Sequence, residues 1–85
     1  TMTEQQKQHG ATLRAIRLQC TPKLKQGHVA DMLNVPQSSI SGIETGARRL
    51  SVPMLKAAAD VLATRSRMTT EEIVLAVVLG FEVEQ

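Results

Sequence analysis

The sequence has little that would support a disulfide scaffold, a zinc site or an aromatic core. Among its 85 residues there is one cysteine, Cys20, and one aromatic residue, Phe81. A lone cysteine cannot form an internal disulfide, which fits a reducing compartment. The longest apolar run, Ile73 to Leu79, is far shorter than the ~20 residues of a membrane span, so no membrane partner is expected. These absences leave one small globular domain with an aliphatic core. We expect Thr1 to be a residue left by a cleaved tag.

Residue clusters typical of catalysis or cofactor binding are also missing. His9 and His28 are isolated, with no second ligand at metal-binding spacing. The sequence shows no nucleophile beside a base, no glycine-rich loop followed by lysine and no recognisable carboxylate pair. We therefore predict that the protein is not an enzyme, holds no metal and no cofactor, and binds no small-molecule ligand.

The charges that are present are unevenly spread. Residues 1–70 contain all ten Lys and Arg residues and four acidic residues, a balance of +6, whereas residues 71–85 contain four acidic residues and no base, a balance of −4. A basic body is typical of a protein that meets a polyanion. A solvated basic surface would give the same count, so charge alone leaves both interpretations open.

Apolar residues recur at spacings of three and four along most of the chain, which is typical of packed helices. No segment alternates as a strand would. The sequence predicts an all-α fold, a compact five-helix bundle. Its helices span about Glu4 to Gln19, Gln26 to Leu33, Gln37 to Thr45, Ser51 to Leu62, and Thr69 to Gly80.

Local signals at the helix ends support these boundaries. Ser51 is a good N-cap, and Thr69 with Glu72 forms a capping box. Asn34 and Gly46 stand where a chain leaving a helix needs the left-handed conformation. Further signals at the first helix are a cap by Thr3 and a stop at Thr21-Pro22.

The second and third predicted helices form the pattern of a helix-turn-helix. They are short and are joined by Asn34, Val35 and Pro36. A helix of this kind fits the DNA major groove, which is about 12 Å wide, and its N-terminal residues reach base edges first. We therefore predict that the base-reading residues are Gln37, Ser38, Ser41 and Gly42.

Gly42 has two possible roles. A glycine inside a helix costs about 1 kcal/mol relative to alanine. Either the backbone at Gly42 must approach DNA closely, or the packing of the domain requires a residue without a side chain there. The sequence leaves both roles open.

The segment from Lys25 to Leu55 resembles the Xre-type helix-turn-helix family of phage Cro and repressor proteins. The residues that best match the family pattern are Gln26, Ala30, Leu33, Val35, Ile40, Ser41, Ile43, Glu44, Gly46, Arg48, Ser51 and Leu55. With Leu13, Arg14 and Arg17 added, the resemblance covers about Leu13 to Leu62. It implies a phage-repressor-like fold, a bacterial or phage origin, a cytoplasmic location and double-stranded DNA as the partner.

The resemblance also implies roles for single residues. Gln26 matches a glutamine that holds a phosphate and braces the first residue of the recognition helix, here Gln37. Arg17 and Glu44 match a structural pair between the first and third helices. Gly46, Arg48 and Arg49 match the loop that lies along the phosphate backbone. The predicted phosphate-positioning residues are Lys25, Gln26, Ser39, Thr45, Arg48 and Arg49.

The chain departs from the family pattern in four places. Lys25 and Pro36 stand where capping Ser or Thr residues are usual. Leu50 stands where proline is common. The loop between Arg17 and Gln26 has eight residues, longer than is usual, and it contains Lys23 and Lys25. Whether this loop contacts DNA is left open.

The fifth predicted helix is apolar on every side. Such a helix must be covered on every side, and a five-helix body can cover only one. We predict that the same helix of a second chain covers the rest in a twofold dimer. Residues 2–68 would then form the DNA-binding body and residues 69–85 the dimerisation segment of the same domain. The predicted dimer residues are Ile73, Val74, Val77, Val78 and Phe81. The alternative is that the chain after this helix folds back over it.

Together these features predict a sequence-specific DNA-binding transcriptional regulator, first of all a repressor, that binds a palindromic operator (an inverted repeat) as a homodimer. A restriction-modification controller protein and the antitoxin of a toxin pair use the same family domain and stay open. From a different class, the chain could be a protein-interaction module that binds its partner through the apolar fifth helix.

Overall fold

A computed structural model describes residues 4–80 of the chain, which form five α-helices and no strand. The helices are α1 (Glu4–Gln19), α2 (Gln26–Leu33), α3 (Gln37–Thr45), α4 (Val52–Ala63) and α5 (Thr70–Leu79). The predicted all-α, five-helix fold class is confirmed. In residues 4–80, no helix has the length and apolar character needed to cross a membrane.

The helix ends follow the local signals in the sequence. Asn34 ends α2 with φ 58° and Gly46 ends α3 with φ 85°, both in the left-handed conformation. The Ser51 hydroxyl accepts a backbone N–H at the start of α4 at 3.3 Å. At the start of α5, Thr69 and Glu72 form both bonds of the capping box, at 3.1 and 2.9 Å. The proposed cap of α1, Thr3, lies outside the described residues.

The core is aliphatic and draws on all five helices. The largest side chains with almost no exposed surface are those of Ile16, Leu24, Ile73 and Val77. Burying a side chain of this size stabilises the fold by about 1.5–3 kcal/mol. Leu24 comes from the long loop between α1 and α2, so this loop folds inward and does not simply bulge into solvent.

Helices α1 and α3 cross with their backbones in direct contact. A Cβ atom added at Gly10 of α1 would overlap the carbonyl oxygen of Ile43 in α3. A Cβ atom at Gly46 would lie 2.9 Å from the Cα of Lys7. Both glycines are therefore needed for this approach, and Gly46 also for its positive φ. This contact sets the distance between α1 and α3.

Helix α5 is covered by its own chain on one face, where it packs against α4 and α1. Ile73 and Val77 are completely buried on that face. These two residues belong to the core of one chain and not to a dimer seam, which corrects the prediction that they form one. Val74 is half-buried and Val78 is exposed, while Phe81 lies outside the described residues.

Candidate nucleic-acid interface

Helices α2 and α3 meet through a tight turn. The N–H of Asn34 donates to the carbonyl of Asp31 at 3.2 Å, and the N–H of Val35 donates to the carbonyl of Ala30 at 3.0 Å. Pro36 then starts α3 with extended geometry, φ −65° and ψ 149°. Neither Lys25 nor Pro36 provides a side-chain cap to its helix. The result is a helix-turn-helix whose second helix, α3, is the candidate recognition helix.

The outer face of α3 presents small polar side chains. Gln37, Ser38 and Thr45 are exposed and Ser41 is half-buried. Residues 37, 41 and 45 are spaced by one turn, so they follow one line along the helix. The Thr45 hydroxyl donates to the carbonyl of Gly42 at 3.2 Å. This face can offer amide and hydroxyl groups to base edges without any change in the fold.

A buried polar network fixes α3 to the rest of the domain. Nε and Nη2 of Arg17 donate to the two carboxylate oxygens of Glu44 at 2.6 and 2.9 Å. Nη1 of Arg17 donates to the carbonyl of Leu24 at 2.9 Å. Both charged residues are buried, with 8% and 7% of their surfaces exposed. Bidentate, charge-assisted hydrogen bonding of this kind is strong and directional, so it sets the angle between α3 and α1.

Gln26 extends this network to α2. Its amide nitrogen donates to Glu44 Oε1 at 2.9 Å. The family resemblance implied that Gln26 braces Gln37, whereas here its amide N–H binds Glu44. Gln26 therefore acts on the recognition helix through Glu44. The bond also brings the start of α2, with exposed Lys25, to the last turn of α3.

Arg48, in the loop after α3, turns back over the recognition helix. Its N–H donates to the carbonyl of Gly42 at 3.0 Å, and its Nη1 donates to the Ser39 hydroxyl at 3.1 Å. A Cβ atom at Gly42 would lie 2.9 Å from Cγ and 3.0 Å from Cδ of Arg48. The Arg48 side chain thus fills the space beside Gly42.

This arrangement supports one of the two roles considered for Gly42. The glycine makes room for the Arg48 side chain, which is a packing role. A close approach of the Gly42 backbone to DNA stays a prediction. The prediction that Ser39 contacts a phosphate is revised. Ser39 is buried, with 8% of its surface exposed, and its hydroxyl accepts a hydrogen bond from Arg48. Ser39 orients a cation and is not itself a surface residue for phosphate.

The remaining predicted phosphate-positioning residues lie at the edges of the helix-turn-helix. Arg49 is exposed in the loop after α3, and Lys25 is exposed before α2. Lys23 is also exposed, while Leu24 beside it is buried. The long first loop therefore combines an anchored apolar residue with two outward lysines.

Cys20 has the properties of a core residue. Its thiol is buried and contacts the carbonyls of Ile16 at 3.4 Å and Leu62 at 3.7 Å. Burial raises the pKa of the Cys20 thiol, against the smaller opposing effects of Arg65 and Arg17. A raised pKa keeps the thiol protonated and unreactive near neutral pH. Within residues 4–80, no group of three His, Cys, Asp or Glu residues could hold a metal ion.

Comparison with known proteins gave one family and two solved structures. The sequence family described as a helix-turn-helix domain matches residues 8–73. The fold is similar to that of the clp gene regulator ClgR from C. glutamicum, with a TM-score of 0.72 and 16% identity over 96% of this chain and 99% of that chain. It is also similar to a point mutant of the restriction-modification controller protein C.Esp1396I, with a TM-score of 0.68 and 22% identity over 94% of this chain and 100% of that chain. No curated protein matches the sequence.

Proposed function

The chain belongs to the helix-turn-helix domain family, whose sequence pattern matches residues 8–73, and we propose that it is an Xre-like transcriptional repressor that binds an inverted-repeat operator as a homodimer. The observation that supports this most is the recognition helix itself. Gln37, Ser38 and Ser41 stand on its outer face, while Arg17, Glu44 and Gln26 fix its angle from below. Such a rigid helix with a polar outer face fits the major groove without reorganisation.

In this proposal, Gln37 is the main base-reading residue. It is the first residue of α3 and is exposed, and an N-terminal recognition-helix residue reaches base edges first. A glutamine amide donates to N7 and accepts from N6 of adenine. Ser38 and Ser41 would read neighbouring edges through their hydroxyls. Lys25, Arg49, Thr45 and Gln26 would place the helix by contacts with phosphates.

We expect Gln37→Ala to weaken binding to the selected operator by about 1–3 kcal/mol and to relax the preference at one base pair of each half-site. The reason is that the amide is lost while the anchored helix stays in place. The measurement is selection of sequences from a pool of random duplexes, followed by competition binding with operators altered at each position. Equal weakening on all duplexes would remove Gln37 from the base-reading set.

Arg49→Ala is the matched control, because it removes a side chain that we assign to phosphate. Binding to every duplex should weaken alike, and the slope of log affinity against log salt should fall by about one. The preferred sequence should stay the same. A changed preference with an unaltered slope would contradict this assignment.

The dimer is proposed through the outer face of α5. Leu75, Val78 and Leu79 expose 51%, 52% and 58% of their surfaces there. Val74 and the exposed Val52 of α4 border the same apolar surface. We define these five residues as the α5 surface. A twofold dimer through it would pair two recognition helices, and half-sites about 34 Å apart would follow from one turn of DNA.

Val78→Glu should weaken the dimer by about 100-fold or more, because a twofold seam would then hold two unpaired carboxylates. Operator affinity should fall with it, since each monomer would bind a half-site alone. Sedimentation equilibrium gives the oligomeric state, and DNA titration gives the affinity. Met32→Glu in α2 is the control, because Met32 is equally exposed, at 52%, but lies outside the α5 surface. A Val78→Glu protein that stays dimeric would place the seam elsewhere.

A restriction-modification controller is the second candidate, favoured by the likeness in fold to C.Esp1396I. The random-duplex selection separates the classes of function. An enriched inverted repeat with steep salt dependence supports an operator-binding regulator, and its sequence can then be sought beside restriction-modification genes or other targets. No enrichment would instead favour a protein-interaction module that uses the α5 surface.

A further inference from the structure

Arg48 differs from every other exposed cation around the helix-turn-helix in being attached to the recognition helix twice. Its backbone N–H binds the carbonyl of Gly42, and its guanidinium binds the Ser39 hydroxyl. Arg48 is nevertheless an exposed residue. An arginine has five N–H donors, and the bond to Ser39 occupies only one of its nitrogens.

The path of the side chain follows the flank of α3. The Cγ and Cδ atoms of Arg48 lie where the side chain of a residue at position 42 would begin. Its guanidinium binds Ser39, which is one turn nearer the N-terminus of the helix. Residue 42 lies one turn after Ser38, so the two positions share the same side of α3. The guanidinium is therefore delivered toward the N-terminal half of the recognition helix, which is the part that enters the groove first.

We infer that Arg48 is a specificity-determining residue that reads a guanine, in place of a side chain at position 42. This inference rests on the proposed DNA-binding function. A guanidinium placed at base edges donates to O6 and N7 of guanine, the commonest specific contact in the major groove. The Ser39 hydroxyl and the missing side chain of Gly42 orient it before DNA arrives, so less side-chain freedom is lost on binding.

The neighbouring arginine has no such arrangement. Arg49 is exposed in the same loop, and no hydrogen bond in residues 4–80 ties it to α3. A phosphate contact needs only a cation close to the backbone, and Arg49 meets that need without being oriented. In this inference the two arginines have different roles: Arg48 contacts a base and Arg49 contacts a phosphate.

Three variants test the inference by random-duplex selection and competition binding: Arg48→Ala, Gly42→Ala and both together. Gly42→Ala keeps the arginine but places a methyl group against its Cγ and Cδ. Both single variants should lose discrimination at the same G·C pair of each half-site, by roughly 10- to 100-fold. The double variant should lose no more than either one, because both changes remove the same contact. The salt slope of each should stay that of the unaltered protein.

Two results would overturn the inference. Arg48→Ala could weaken all duplexes equally and lower the salt slope by about one, which is the behaviour of a phosphate contact. Alternatively, Gly42→Ala could keep the full preference at that G·C pair. Thermal melting followed by circular dichroism shows that each variant is folded before binding is measured. Failure of the proposed function has a different signature, since the unaltered protein would then select no sequence at all.

Discussion

Glu44→Ala should lower the free energy of unfolding by about 3–5 kcal/mol, because it leaves the Arg17 guanidinium buried without its carboxylate. Arg17 is 8% exposed and gives two of its donors to Glu44. The Gln26 amide loses its partner in the same step. A loss of this size is a large part of the roughly 5–15 kcal/mol that stabilises a typical domain.

Urea unfolding followed by helical circular dichroism measures this loss at a fixed protein concentration, which the proposed dimer requires. The chain has no Trp and no Tyr, so intrinsic fluorescence offers little. The control is the double variant Arg17→Met with Glu44→Met. Replacing both partners of a buried pair by apolar side chains is often close to neutral. It should therefore be clearly more stable than Glu44→Ala. A loss below about 1 kcal/mol for Glu44→Ala would mean that water reaches Arg17.

Gly10→Ala should be the second severe change, with a loss of about 3 kcal/mol, at the upper end for overpacking. The added methyl group would overlap the carbonyl oxygen of Ile43, which belongs to the backbone of α3 and cannot rotate away. Helices α1 and α3 would have to separate, which would disturb the pair Arg17 and Glu44 as well. The gain of about 1 kcal/mol from replacing glycine by alanine inside a helix is too small to compensate.

Gly42→Ala is the matched control for this change, because it makes the same substitution inside a neighbouring helix. There the new methyl group meets only the flexible side chain of Arg48. The free energy of unfolding should stay the same or rise by up to about 1 kcal/mol. Thermal melts of both variants give the comparison. Equal stability of the two variants would show that the contact between α1 and α3 can relax.

The helices could be predicted closely because their ends depend on local chemistry. Ser51, Thr69 and Glu72 bind backbone N–H groups within one turn, and Asn34 and Gly46 adopt positive φ where the chain leaves a helix. These interactions involve neighbours in the sequence. A single sequence therefore contains nearly all the information that places them.

The parts that could not be predicted depend on which helices meet in space. Nothing near Gly10 in the sequence shows that Ile43 will lie above it. The apolar run in α5 gave no sign that Ile73 and Val77 would face inward, because apolar residues surround that helix. Ser39 is polar and was expected at the surface, yet Arg48 covers it. Leu24 gave a usable signal as an apolar residue between two lysines.

The anchoring of α3 from beneath has a consequence for how this protein can change its target. Within residues 4–80, the side chains of Gln37, Ser38 and Ser41 make no hydrogen bond. The residues that hold the helix in place are Arg17, Glu44 and Gln26, and none of them needs to contact a base. Substitutions on the outer face are thus nearly free of a stability cost. Under the proposed function, new operator preferences therefore lie within single substitutions, and every intermediate protein still folds.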